Sequence, residues 1–213
     1  MYELPLFPLN VVLFPGMPLP LHIFEERYKQ MVADCLRDNR PFGVVLIAEG
    51  RAEGGPPARP HAIGCTAEID QVQPLDDGRM ILMTVGRERF RIVRLRHDRP
   101  YLVGMVEPAP LLAEDAAGVA EGAARLEPLV VEYLRKMVSL GNLDAMPDDP
   151  PDEPASLAYL GAALIQLPPE EKQDLLARNR LTELLAALRR VYRGELALLR
   201  TVPAEDIGLF SVN

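Results

Sequence analysis

Apolar residues open this chain without a helical rhythm. From Leu4 to Ile23 they are broken by Pro5, Pro8, Pro15, Pro18 and Pro20, and each proline lacks a backbone donor and clashes with the preceding turn of a helix. The segment therefore predicts short extended pieces joined by turns, with Pro15-Gly16 as the sharp bend. At Phe24 the spacing becomes helical. Phe24, Tyr28, Met31, Val32, Cys35 and Leu36 form the apolar face of a helix ending near Asn39. Phe42 to Ala48 is a continuous apolar run, which predicts a buried strand. Glu49 to Ala62 holds three glycines and three prolines and reads as a loop.

Period-two patterning then takes over. Ile63 to Leu75 predicts a long strand, Asp76-Asp77-Gly78 a hairpin turn with glycine at positive φ, and Arg79 to Val85 the returning strand. Between 87 and 96, Arg87, Arg89 and Arg91 share one face and Phe90 and Ile92 the other; beyond that point Val93 and Leu95 are the apolar positions. The parity flips at Ile92-Val93, and one inserted residue restores a single apolar inner face while bending the strand. Tyr101 to Glu107 completes a set of antiparallel strands, which with one helix over an end implies a small, partly closed barrel.

From about Ala116 the chain reads as helices: Val119 to Leu140, ended by Gly141 and Asn142; then Ala155 to Leu167, stopped at Pro168-Pro169. Pro169, followed by Glu170 and Glu171, suits the first turn of the next helix. Leu181, Leu184, Leu185, Leu188, Val191, Tyr192, Leu196 and Leu199 make an amphipathic stripe, with a kink expected at Asn179-Arg180. Met146 to Pro154 is a connector. The fold class is thus α+β, with a barrel subdomain over 1–110 and a helical subdomain over 111–213.

Charge sharpens this division. Residues 1–110 hold 13 Lys and Arg against 14 Asp and Glu, while residues 111–213 hold 10 against 17. A nucleic-acid partner needs a basic footprint, which only the first part could supply, so nucleic acid is the disfavoured partner. The longest apolar runs fall short of the ~18 residues of a membrane helix, and the N-terminus has no form of a secretory signal. Cys35 and Cys65 lie apart in no CxxC arrangement, as buried thiols of a reducing cytosol do, and a cytoplasmic location is expected. His22, His61 and His97 show no ligand spacing, and nothing in the chain calls for a metal or cofactor.

The ordered series of motifs resembles the N-terminal substrate-recognition domain of the Lon family of ATP-dependent proteases. It runs from the proline-rich opening through Ile23-Phe24-Glu25-Glu26-Arg27-Tyr28, Gly64 to Ile69, Leu75 to Arg79 and Val85 to Ile92. Pro100 to Glu107 and Leu167 to Gln173 continue it, so the resemblance spans roughly residues 4–200. It implies a PUA-like barrel followed by a helical bundle, with Pro15, Gly16, Phe24, Glu25, Arg27, Tyr28, Gly64, Asp77, Gly78, Gly86 and Phe90 as structural motif positions. Lon proteases add an ATPase and a Ser-Lys peptidase. Here nothing matches GxxxxGK[ST], and of three serines and three lysines only Lys136 and Ser139 are close, one turn apart on a predicted exposed helix. A peptidase activity does not follow from the resemblance.

Two surfaces stand out. The Arg87-Arg89-Arg91 row reads as a solvated face neutralised by cross-strand acids near Glu68 and Asp70, with contact to an acidic segment or to RNA as the alternative. Met80-Ile81-Leu82-Met83 is apolar on both strand faces. One face fits the core; cover by the helices accounts for the other, unless Met80 and Met83 line an open groove. Glu25 is placed to support the helix start and Arg27 to fix a neighbouring carboxylate or backbone group. The expected role is non-catalytic: binding unfolded or degron-bearing polypeptides, or a protease or chaperone partner. An RNA-binding barrel is the alternative.

Overall fold

The computed structural model describes residues 1–50, 59–141 and 150–201, the Thr201 side chain excepted. The elements are β1 (Tyr2–Leu9), β2 (Pro18–Ile23), α1 (Glu26–Arg37), β3 (Phe42–Glu49), β4 (Arg59–Pro60), β5 (Ile63–Pro74), β6 (Met80–Arg96) and β7 (Leu102–Pro108). After them come α2 (Ala116–Ser139), α3 (Pro154–Leu164), α4 (Pro169–Leu176) and α5 (Leu181–Thr201). The α+β class read from the sequence is what the chain forms. Residues 51–58 of the expected loop over 49–62, and Asn142 with residues 146–149 of the expected connector over 146–154, lie outside the described residues.

Strands β1, β7, β6, β5 and β3 are bonded in that order, and β1 returns to pair with β3, which closes the path into a barrel. That closing pair is parallel, with Leu6 opposite Gly43 and Phe7 opposite Val44. An all-antiparallel set, as the strand pattern suggested, would have left the two edges open. The interior is small. Leu4, Leu6, Val45, Phe90 and Val106 fill it, with Ile92, Leu95 and Leu102 packed against them. Glycine at 64 makes room for the central ring, since a Cβ there would lie 2.6 Å from Phe90 Cζ and 2.6 Å from the Val44 carbonyl.

The outer wall carries a second core. Phe7, Phe42, Val44, Cys65, Leu82 and Val103 point outward from the strands and are covered by Tyr28, Met31, Val32 and Cys35 of α1 and by Leu19, Leu21 and Ile23 of β2. β2 lies off the barrel path and pairs with β6, from Pro18 opposite Val85 to Ile23 opposite Met80. Gly16 (φ +79) forms the bend before it, and Gly78 (φ +78) the hairpin turn between β5 and β6, both as the sequence predicts.

β6 runs unbroken from Met80 to Arg96, so the expected separate strands over 79–85 and 87–96 are one. The parity flip at Ile92-Val93 is a β-bulge: Ile92 pairs with Val106 and Arg94 with Met105, leaving Val93 as the extra residue. Val93 therefore faces solvent, while Leu95 alone resumes the inner face.

By contacts the chain divides into Met1–Leu111 with Ala162–Asn179, and Leu112–Gly161 with Arg180–Asn213. The single division near residue 110 read from the sequence differs from this, because residues 162–179 group with the barrel. There the buried Gln173 donates its side-chain amide to the Ile63 carbonyl at 3.0 Å. Helix α3 ends at Leu164, three residues before the predicted stop, and α4 starts at Pro169 with Glu170 and Glu171 in its first turn. The expected kink at Asn179-Arg180 is a full break between α4 and α5. In the second unit the α5 stripe is core: Leu181, Leu184, Leu185, Leu188, Tyr192 and Leu196 are buried. Tyr192 meets Tyr133 of α2 edge-on at 5.3 Å and donates to the Gly161 carbonyl at 2.8 Å.

Candidate functional site

The arginine row is built differently from its sequence pattern. β5 and β6 change register between Cys65–Arg89 and Ala67–Gly86, so two residues of β6, Arg87 and Glu88, stand opposite Thr66 alone. The Thr66 hydroxyl holds this bulge, accepting from Glu88 N at 3.0 Å and donating to Glu88 O at 3.3 Å. An extra residue reverses side-chain parity, so Arg87 no longer shares the face of Arg89 and Arg91. Arg87 is exposed and paired with Glu68; Arg91 is exposed and 3.8 Å from Glu107. Arg89 is 4% exposed, and none of its guanidinium nitrogens has a hydrogen-bond partner. The shared solvated face is thus corrected to two neutralised surface arginines and one buried cation.

The Met80–Met83 stretch also departs from expectation. Leu82 and Thr84 point into the outer core, and Met80 packs against its edge. Met83 is 38% exposed, on the other face. Register sets Met83 beside Pro20 of β2 and Gln71 of β5, Val85 beside Pro18, and Ile81 beside His22. Pro18, Pro20 and His22 are exposed, and Ile81 and Val85 half-buried. The result is an open apolar strip along the β2–β6 ribbon where cover was expected. Strand addition along β2 is blunted, because Pro18 and Pro20 carry no N–H for an incoming strand.

On the α1 side of the barrel a cleft of about 290 Å³ is lined by Tyr2, Leu36, Arg40, Ile69, Arg87 and Glu88, among others. Leu36, expected in the apolar stripe of α1, is exposed at its rim. Sequence reasoning missed the polar centre of this helix. Asp34 is 6% exposed, accepts from the Tyr101 hydroxyl at 2.6 Å and pairs with Arg37 at 2.8 Å. The Tyr101 hydrogen bond, aided by Arg37 and Arg99, holds the Asp34 carboxyl below its ordinary value against the cost of burial. The available signal was an aspartate on the flank of the Met31-Val32-Cys35 stripe.

The remaining motif positions lie at bends, in close strand contacts and at the start of α1. Pro15 and Gly16 make the bend, and the Gly16 N–H donates to the Gly86 carbonyl at 2.8 Å. Gly86 is buried so close to the Phe14 carbonyl that a Cβ would lie 2.2 Å from it. Asp77 accepts from the Arg79 backbone at 3.1 Å. Phe24 precedes the first turn of α1 and is exposed, its ring 5.8 Å from His22, so it does not join the helix stripe. Glu25 occupies the N-cap without a side-chain cap; its carboxylate instead holds Arg27 at 2.8 Å, and Arg27 lies over the Tyr28 ring at 4.5 Å. Tyr28 in turn packs on Phe7 at 4.1 Å. Cys35 and Cys65 are buried free thiols, pushed by burial up to about 11 and about 12. The Ser139 hydroxyl donates to the Lys136 carbonyl of its own helix at 2.8 Å.

The model of the ATP-dependent protease La (LON) substrate-binding domain matches residues 3–191. The chain belongs to the Lon substrate-binding domain family. Lon protease 2 of Myxococcus xanthus is 30% identical over 199 residues, 89% of this chain but 24% of that protein. A LON peptidase N-terminal domain and RING finger protein of Schizosaccharomyces pombe is 35% identical over 106 residues, 45% of this chain and 22% of that one. The chain therefore spans about a quarter of the length of these relatives. Among solved structures, a Lon N-terminal domain protein from Xanthomonas campestris has a TM-score of 0.62 at 29% identity, covering 95% of this chain and 100% of that one. The N-terminal domain of a Mycobacterium avium complex Lon protease has a TM-score of 0.71 at 18% identity, covering 90% and 98%, a likeness of fold. Among the described residues no helix of this family member is long and apolar enough to cross a membrane.

Proposed function

We propose that this Lon-type domain is a non-catalytic module that binds polypeptides, with unfolded or degron-bearing segments as its clients, and that it serves proteolysis as an adaptor. The observation that carries the reading is the open apolar strip around Met83 and Pro20. Such a surface suits extended chains of varied sequence, because methionine is flexible and polarisable and proline keeps the strip from recruiting a strand. The family's substrate-binding character supports the same role. The RNA alternative loses its motivation, since two arginines of the row are neutralised and the third is buried.

The test is fluorescence anisotropy with a labelled unfolded polypeptide and a labelled RNA hairpin, each at two salt concentrations. Saturable polypeptide binding that survives the higher salt is expected, and Met83→Asp should weaken it about tenfold, the size of a modest hot spot. No saturable binding at high micromolar protein refutes the reading; salt-sensitive hairpin binding favours RNA.

A further inference from the structure

Arg89 is the least compensated group in the barrel. Its neighbours in the row each have a carboxylate, Arg87 with Glu68 and Arg91 with Glu107, although both are exposed and need one least. Arg89, at 4% exposure, has none among the described residues. A guanidinium offers five N–H donors, and burying it without an acceptor or counter-charge is strongly unfavourable. Among the described residues no other buried guanidinium lacks partners on all three nitrogens. The cross-strand neighbour, Cys65, does not neutralise it: that thiol is pushed up to about 12 by its own burial and stays protonated. A second orphan lies on α4, bonded to the same strand as Cys65. Gln173 gives its amide nitrogen to the carbonyl of Ile63, two residues along β5 from Cys65, and leaves its Oε1 buried and unpartnered.

We propose that Arg89 is the receptor for a carboxylate of the bound polypeptide, its C-terminus or an acidic side chain. The inference rests on the polypeptide-binding reading and extends it to a chemical preference. One uncompensated positive charge matches one carboxylate, which takes two of the guanidinium's N–H groups side by side. A phosphate dianion would leave a net negative charge on a site flanked by Glu88. Because Arg89 is buried, the ligand reaches it only after covering atoms move, so association is slower than the roughly 10⁵–10⁷ M⁻¹s⁻¹ typical of preformed surfaces.

The experiment joins melting and binding of wild type, Arg89→Met and Arg89→Lys. Three forms of one labelled unfolded peptide serve as ligands: free acid, C-terminal amide, and an amide with one internal aspartate. Arg89→Met should raise the melting midpoint by roughly 2–4 °C or more, since it removes an unpaired buried charge at similar volume. It should weaken the free acid about tenfold or more. Wild type should bind the plain amide about tenfold more weakly than the free acid, and Arg89→Lys, which keeps the charge without the fork, should fall between. Recovery by the internal aspartate assigns the carboxylate to side chains as well; no recovery assigns it to the C-terminus. An Arg89→Met midpoint that is unchanged or lower overturns the proposal, as does equal affinity of wild type for acid and amide. Equal affinity sinks the carboxylate receptor alone and leaves polypeptide binding standing, whereas no binding of any peptide sinks both.

Discussion

The barrel has two apolar cores, one inside and one outside the same strands, and they are built to different rules. Inside, Phe90 fills a space so tight that a neighbouring strand can carry only glycine at 64. Outside, the core is a layer spread between the barrel wall, α1 and β2. It admits a buried carboxylate at Asp34, and it frays into an exposed apolar side chain at Leu36. The inner core fixes shape, because dense packing leaves no alternative arrangement. The outer one presents chemistry, because a layer has rims where apolar side chains meet water.

Breaking the inner core should have the largest effect. Phe90→Ala removes the ring around which the strands close and should cost about 3–5 kcal/mol, measured by urea denaturation. A value below about 1 kcal/mol would mean that the interior collapses around the gap, and that the contrast between the cores is overstated. Next comes the polar centre of the outer layer. Tyr101→Phe deletes the hydrogen bond to Asp34 and should cost roughly 1.5–3 kcal/mol, the range for bonds to charged groups. The sign with pH follows from the depressed Asp34 carboxyl. Its contribution is present above the unfolded value near pH 4 and is lost as pH falls through the lower folded value. Wild type should therefore lose stability in acid more steeply than Tyr101→Phe, and parallel acid limbs would show that Asp34 does not depend on Tyr101.

How much of this the sequence held turns on contrast between neighbouring residues. The bulge at Val93 was legible because Phe90, Ile92 and Leu95 are apolar among arginines, so one inserted residue shows as a break in alternation. The bulge at Arg87-Glu88 was invisible for the opposite reason. Arg87, Glu88 and Arg89 are all charged, and a parity change within a uniformly polar run leaves no mark. That hidden residue puts Arg89 on the buried outer face beside Cys65, so the candidate row was found while the odd member within it was not. The helices read well, since each amphipathic stripe is a local pattern. The parallel β1–β3 closure and the grouping of residues 162–179 with the barrel depend on partners far along the chain. No periodicity encodes them. Asp34 failed from the same shortage of context: its burial is set by Tyr101, far along the chain.

The smallest predicted effect sharpens the difference between the two sides of the Arg87-Glu88 bulge. Arg87 and Glu68 form a close pair, yet both side chains are 58% exposed. In that setting Coulomb attraction is screened by water and offset by the entropy of holding two long side chains. Arg87→Ala, Glu68→Ala and the double variant should each change stability by less than about 0.5–1 kcal/mol, with a coupling near the lower end. Arg89, two residues away, should respond with the opposite sign to neutralisation, gaining stability as Arg89→Met. The same chemical group two residues apart on one strand would then be nearly silent where it is paired in water and destabilising where it is buried alone. A coupling between Arg87 and Glu68 above about 2 kcal/mol would place their pair in a low-dielectric site, and would make Arg87 part of the packed framework beside α1 instead of a solvated rim.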